Sequence, residues 1–229
     1  KHKAGTLEYP TAFEKYISWR SIDIMRFNHI FKLTNENKTH REYKCNNVNI
    51  NIDFISDSAL RVAVFNDNAK MLPTFTVNPN NNLSSFGRSR LSTDGFDCVA
   101  PVVEKFDNKE QFVLDCGVTV DLDLNNFILS YCKESELLFA DRAPLAYNFE
   151  GEFGNGSYHY ITREDDEHIF GLGDKSGLIN KAGQVYRVET ADSMGFDAEK
   201  TDPLYKHVPF YICENSVGAY GIYYDTTDT

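Results

Sequence analysis

The stretch Val118-Thr119-Val120-Asp121-Leu122-Asp123-Leu124 puts four aliphatic side chains on one face and Thr and Asp on the other. Only a half-buried β-strand has that two-residue period. The same period recurs in Val48-Asn49-Ile50-Asn51-Ile52-Asp53-Phe54, and Leu60-Arg61-Val62-Ala63-Val64-Phe65 follows the polar turn Ser56-Asp57-Ser58. Asn125-Asn126 turns the chain into Phe127-Ile128-Leu129-Ser130-Tyr131, as in a hairpin. Further strands are expected at 110–116, 158–162, 207–213 and 219–225. Sequential strands joined by short turns predict an all-β, antiparallel sandwich rather than βαβ units. Residues 10–30, with Phe13, Tyr16, Ile17 and Trp19-Arg20, are the one candidate for a short helix. Residues 73–97, rich in Asn, Ser, Pro and Gly, have loop composition.

Aromatic residues are plentiful, with 13 Tyr and 17 Phe. Strand packing explains them first, and stacking on sugar rings is the functional alternative. The net charge of -11, without a basic stripe, argues against nucleic acid as a partner. No apolar run is long enough for a membrane span. Five cysteines (Cys45, Cys98, Cys116, Cys132 and Cys213) show no C-x-x-C or other metal-ligand spacing, and they are expected as reduced thiols in a cytoplasmic protein. Neither a metal nor an organic cofactor is expected.

Three clusters near the C-terminal end carry chemistry. Gly171-Leu172-Gly173-Asp174 lacks the third glycine and following helix of a nucleotide loop, so it is expected to be a structural turn. The loop Thr190–Glu199 centres on Asp192, with Met194 and Phe196 as apolar neighbours and Asp197 as a turn residue. An ionised carboxylate here can accept hydrogen bonds from sugar hydroxyls, or close an Asx-turn beside Gly195. In Asp202-Pro203-Leu204-Tyr205-Lys206-His207-Val208-Pro209-Phe210 two prolines bracket the entry to an extended strand. His207 reads as structural. The acidic run Glu164-Asp165-Asp166-Glu167 reads as a solvated hairpin tip.

Residues 168–225, with F-G-L-G-D-K, the Asp192 loop and D-P-L-Y-K-H-V-P-F in that order, resemble the N-terminal β-sandwich of glycoside hydrolase family 31, the α-glucosidase family. The chain has Asp174 where the family pattern G-L-G-E has glutamate. The resemblance implies a large, galactose-mutarotase-like sandwich over 1–229 as a single non-catalytic N-terminal domain, with strands to follow Thr229. It also implies a partner in the same polypeptide, a (β/α)8 barrel that carries both catalytic carboxylates and is absent from this chain. On the same ground Asp192 is expected to contact an α-glucoside or oligosaccharide substrate, which the parent enzyme hydrolyses or transfers with retention, and Met194 and Phe196 are expected either to form an apolar wall of that site or to pack in the core. Two alternatives remain. One is an autonomous carbohydrate-binding sandwich. The other is an aldose epimerase, which needs a paired His base and acid with a Glu in one cleft, and the spacing of the six histidines does not support it.

Overall fold

The computed structural model describes residues 29–74, 76–77, 79, 87–149 and 157–225. Most of the expected 10–30 helix lies outside them. Among the described residues twelve strands form three antiparallel meanders. The first sheet holds β1 (Lys32–Glu36), β2 (His40–Cys45), β3 (Val48–Phe54) and β4 (Leu60–Asn66). The second holds β5 (Val102–Lys105), β6 (Lys109–Val113), β7 (Val118–Asp123), β8 (Ile128–Lys133) and β9 (Glu136–Ala140). The third holds β10 (His168–Gly173), β11 (His207–Glu214) and β12 (Ala219–Tyr223). The all-β sandwich expected from the alternating pattern is the observed fold.

The first two sheets share one core. Tyr43, Ile50, Ile52 and Phe54 from the first meet Phe112, Val120, Leu122 and Leu129 from the second. Phe54 and Phe112 contact at 5.2 Å between ring centroids, and Tyr43 meets Phe127 edge-on at 5.2 Å. Each such side chain stabilises the fold by about 1.5–3 kcal/mol through removal from water.

Polar clasps are built into this sandwich. Arg41 and Tyr43 of β2 reach across to Glu110 of β6, with Tyr43 Oη donating at 2.6 Å. Burial, and then the Glu110 carboxylate, push the Tyr43 phenol well above its ordinary range. Arg41 also lies 5.3 Å above the Phe112 ring. On β3, Asp53 is only 1% exposed at its side chain, although its alternation predicted a solvated face. His40 Nδ1 lies 2.5 Å from one carboxylate oxygen of Asp53, and Arg61 donates to the other at 2.7 and 2.9 Å. The same guanidinium donates to the carbonyls of Arg90, Leu91 and Ser92. The described part of the long loop is thereby strapped over β3. Its other anchor is Asp225, whose backbone carbonyl accepts from Arg90 and whose carboxylate accepts from Thr74 and Thr76.

The third sheet docks beside β8 and β9. Tyr131, Phe139 and Tyr220 form a continuous stack, with centroids 4.0 and 4.1 Å apart. Tyr224 Oη donates to His159 Nδ1 at 3.0 Å, and His159 Nε2 donates to buried Asp141 at 2.9 Å. Two expectations are corrected here. Residues 158–162 form isolated bridges at His159 and Ile161 rather than a strand. Glu167 is buried and accepts from Tyr220 Oη at 3.2 Å, so only Glu164, Asp165 and Asp166 of the acidic run are solvated.

Candidate functional site

The connection from β10 to β11 carries all three sequence clusters. Gly171, Leu172 and Gly173 belong to β10, so this segment is a kinked strand end rather than a free turn. The kink has a local cause. Pairing runs from Gly171↔Tyr211 to Gly173↔His207, which leaves Leu172 at φ 68° opposite a bulge. A Cβ on Gly173 would stand 2.6 Å from the Lys206 carbonyl oxygen, at φ +80°. Only glycine meets both conditions.

The first and third clusters are tied to each other. Asp174 N donates to the Lys206 carbonyl at 2.8 Å. The Lys175 side chain is 0% exposed and its Nζ lies 3.0 Å from Asp202 Oδ1. Nζ also donates to the Arg187 carbonyl, while Arg187 N donates to Asp202 Oδ2 at 2.6 Å. A buried ammonium with these partners fixes the geometry of both loop ends. Lys181 lies nearby, 5.3 Å from the Tyr186 ring centre, and donates to the Ser176 carbonyl at 3.0 Å. Burial, and then the charge of Lys175, lower its pKa from the usual lysine range.

The Asp192 loop rests on this base. Ala191 N donates to the Leu204 carbonyl at 3.1 Å, and Ser193 Oγ donates to the Pro203 carbonyl at 2.8 Å. Tyr205 Oη donates to the Ser193 carbonyl at 3.1 Å. The backbone on either side of Asp192 is therefore held, while its exposed carboxylate accepts no hydrogen bond from the described residues. Met194 is 90% exposed and Phe196 53%. Asp197 closes the turn, as its sequence predicts, by accepting from Glu199 N at 2.8 Å and Thr201 N at 3.0 Å.

Of the three predicted contact residues, Phe196 lines a concavity. An open depression of ≈ 270 Å³ is bounded by Asp174, Lys175, Phe196, Leu204 and Tyr205. Asp192 and Met194 are exposed and are not among the residues that bound it. Asp174 and Tyr205 were missed as surface-lining residues, because glycine-rich and proline-bracketed strings read as scaffold. His207 Nδ1 lies 3.0 Å from Thr190 Oγ1. His40, His159, His168 and His207 each sit in a different hydrogen-bond set, so these four do not form the His pair of an epimerase. Cys98, Cys116, Cys132 and Cys213 are free thiols. Among the described residues no helix is long and apolar enough to cross a membrane, and no group of three His, Cys, Asp or Glu is placed to hold a metal.

Residues 49–229 match the family described as the glycosyl hydrolase 31 N-terminal galactose mutarotase-like domain. Over 150 residues the chain is 27% identical to alpha-glucosidase 2 of Bacillus thermoamyloliquefaciens, covering 62% of this chain and 18% of that protein. A GH31 dextranase of Flavobacterium johnsoniae, solved with isomaltotriose, shares the fold with a TM-score of 0.67 and 21% identity, over 88% of this chain and 22% of the other. A glucosidase II alpha subunit shares it with a TM-score of 0.59 and 9% identity, over 96% and 31%. The chain thus spans about a fifth of the curated relative and of the dextranase.

Proposed function

Because the chain belongs to the family of glycosyl hydrolase 31 N-terminal galactose mutarotase-like domains, we propose that it is the non-catalytic sandwich of a retaining, α-glucosidase-type enzyme. In this reading residues 1–229 form one domain that scaffolds a (β/α)8 barrel of the same polypeptide. The barrel supplies both catalytic carboxylates. The Asp192 loop supplies a hydroxyl-accepting carboxylate and the apolar side chains of Met194 and Phe196 to an α-glucoside substrate. The free thiols of Cys98, Cys116, Cys132 and Cys213 support a reducing, cytoplasmic setting.

The observation that carries the scaffold role is the outer face of β11. Val208, Phe210 and Ile212 lie on one face of this central strand and are 38–45% exposed, while Cys213 on the opposite face is buried. An antiparallel sheet with one solvated face alternates apolar and polar residues. A central strand whose open face is apolar while its other face is already packed fits a sheet covered on both sides, and the barrel is the proposed cover.

The test uses two proteins, this chain and the full-length enzyme, assayed on a chromogenic α-glucoside. Activity confined to the longer protein is expected. In that protein Asp192→Ala should raise KM or lower kcat/KM by about ten-fold, the value of one hydrogen bond to a charged acceptor. Turnover by the 229-residue chain alone would overturn the reading. Sugar affinity without any turnover in either protein would favour the autonomous binding module instead.

A further inference from the structure

We propose that the depression between the Asp174 corner and the Phe196–Tyr205 segment is a binding site for a single neutral pyranose unit, distinct from the contact expected at Asp192. The inference extends the reading above and shares Phe196 with it. The depression is open, and its volume of ≈ 270 Å³ lies just below the roughly 300–1,000 Å³ of pockets that take drug-sized ligands, so its walls can contact one sugar ring.

Its walls are chemically specific. Phe196 and Tyr205 are 53% and 47% exposed, and neither ring stacks on another aromatic or cation among the described residues. Their free faces match the C–H face of a pyranose, which is apolar while its rim carries hydroxyls. The Tyr205 ring is already oriented, because its hydroxyl is anchored to the Ser193 carbonyl at 3.1 Å. Little ordering cost remains to be met on binding. Leu204, which is buried, forms an apolar floor.

The acceptor is Asp174. Its backbone is locked by the 2.8 Å bond to the Lys206 carbonyl, yet its exposed carboxylate accepts no hydrogen bond from the described residues. Hydroxyl donors to such a carboxylate form charge-assisted hydrogen bonds. Charge also selects a neutral ligand. The two ionic lining residues are one acid, Asp174, and one base, Lys175, whose ammonium is buried against Asp202 and the Arg187 carbonyl. An anion would face the unpaired Asp174, and a cation would sit over buried Lys175.

The experiment is an NMR titration of the isotope-labelled chain with methyl α-D-glucopyranoside. Saturable shifts should centre on Asp174, Phe196 and Tyr205, with a Kd on the order of millimolar for so small a ligand. Asp174→Asn keeps the shape and should weaken binding about ten-fold, while Tyr205→Ala should remove it. Val102→Ala, at an exposed position of β5 outside the depression, should leave it unchanged. Absence of shifts well above the millimolar range overturns the proposal. So do shifts confined to residues 192–194 that Asp192→Ala abolishes, and so does a stronger response to tetramethylammonium than to the glucoside. None of these results decides the scaffold reading, which stands or falls on turnover by the longer enzyme.

Discussion

Strands β3 and β11 are both central strands with alternating side chains, yet their surroundings are opposite. In β3 the apolar set Val48, Ile50, Ile52 and Phe54 enters the shared core. Its polar set is also largely covered, and Asp53 is neutralised by His40 and Arg61 beneath the strapped loop. In β11 the inner face meets polar groups. Cys213 and the paired Tyr220 lie near Glu167, and Tyr211 lies beside Tyr224, which joins His159 and Asp141. Its outer face is apolar and open. The first region stabilises itself by burial between two sheets. The second is held by hydrogen bonds and ring stacking, and leaves its best hydrophobic surface unused. The difference teaches that the first region is closed by its own two sheets, whereas the third sheet leaves an apolar face open, as the scaffold proposal expects.

The sharpest way to break this contrast is to truncate one phenylalanine in each region. Phe112→Ala in the shared core should destabilise the chain by about 3–5 kcal/mol. Phe210→Ala on the outer face of β11 should change the stability of the chain alone by under about 1 kcal/mol. Chemical denaturation of both variants checks this, and equal losses would mean that the outer face is covered after all.

A smaller effect tests what holds the third region in place. Asp202→Ala leaves the Lys175 ammonium buried without its carboxylate, at a cost of about 3 kcal/mol. Hydrogen exchange should show the loss concentrated in residues 174–206, with the core amides of β3 and β7 still protected. A uniform loss across all three sheets would show that the ion pair is no local anchor.

The smallest expected effect lies in the first region and depends on pH. Both ring nitrogens of His40 face carboxylates, Asp53 at 2.5 Å and Glu42 at 2.9 Å. Carboxylates only accept, so the ring is an imidazolium. Burial lowers the His40 pKa, but the hydrogen bonds to Glu42 and Asp53 outweigh it and raise the net value. A raised pKa stabilises the fold fully below the unfolded value of about 6.5 and loses that contribution as pH rises through the folded value. The stability gap between wild type and His40→Gln should therefore be about 1 kcal/mol in mild acid and shrink toward alkaline pH. A gap that widens with pH would mean a neutral ring.

What could be read from the chain divides along the same line. Strands β3, β4, β7, β8, β11 and β12 were legible because their alternation is clean. Strand β2 was not, since Arg41 occupies a core-facing position beside Tyr43. Strand β9 was hidden by its turn, where Glu134 and Ser135 adopt positive φ without the usual Asn or Gly. For the candidate site, the order of the motifs marked the loop, and the role of its central carboxylate is the proposal made above. The depression was not legible, because it joins Asp174 to Tyr205 across 31 positions of chain (205 − 174).

The sequence alone determined that the chain makes strands, where its clearest turns fall, and which family it belongs to. Those are local properties: a two-residue period, turn residues and short motifs. The tertiary structure alone decided which charges are buried and which faces are left open. The pairing of Lys175 with Asp202, of Arg41 with Glu110, and of His159 with both Asp141 and Tyr224 joins residues far apart in the chain. Such a pair persists only where folding has already removed the water that would compete for it, and no local pattern records where that happens.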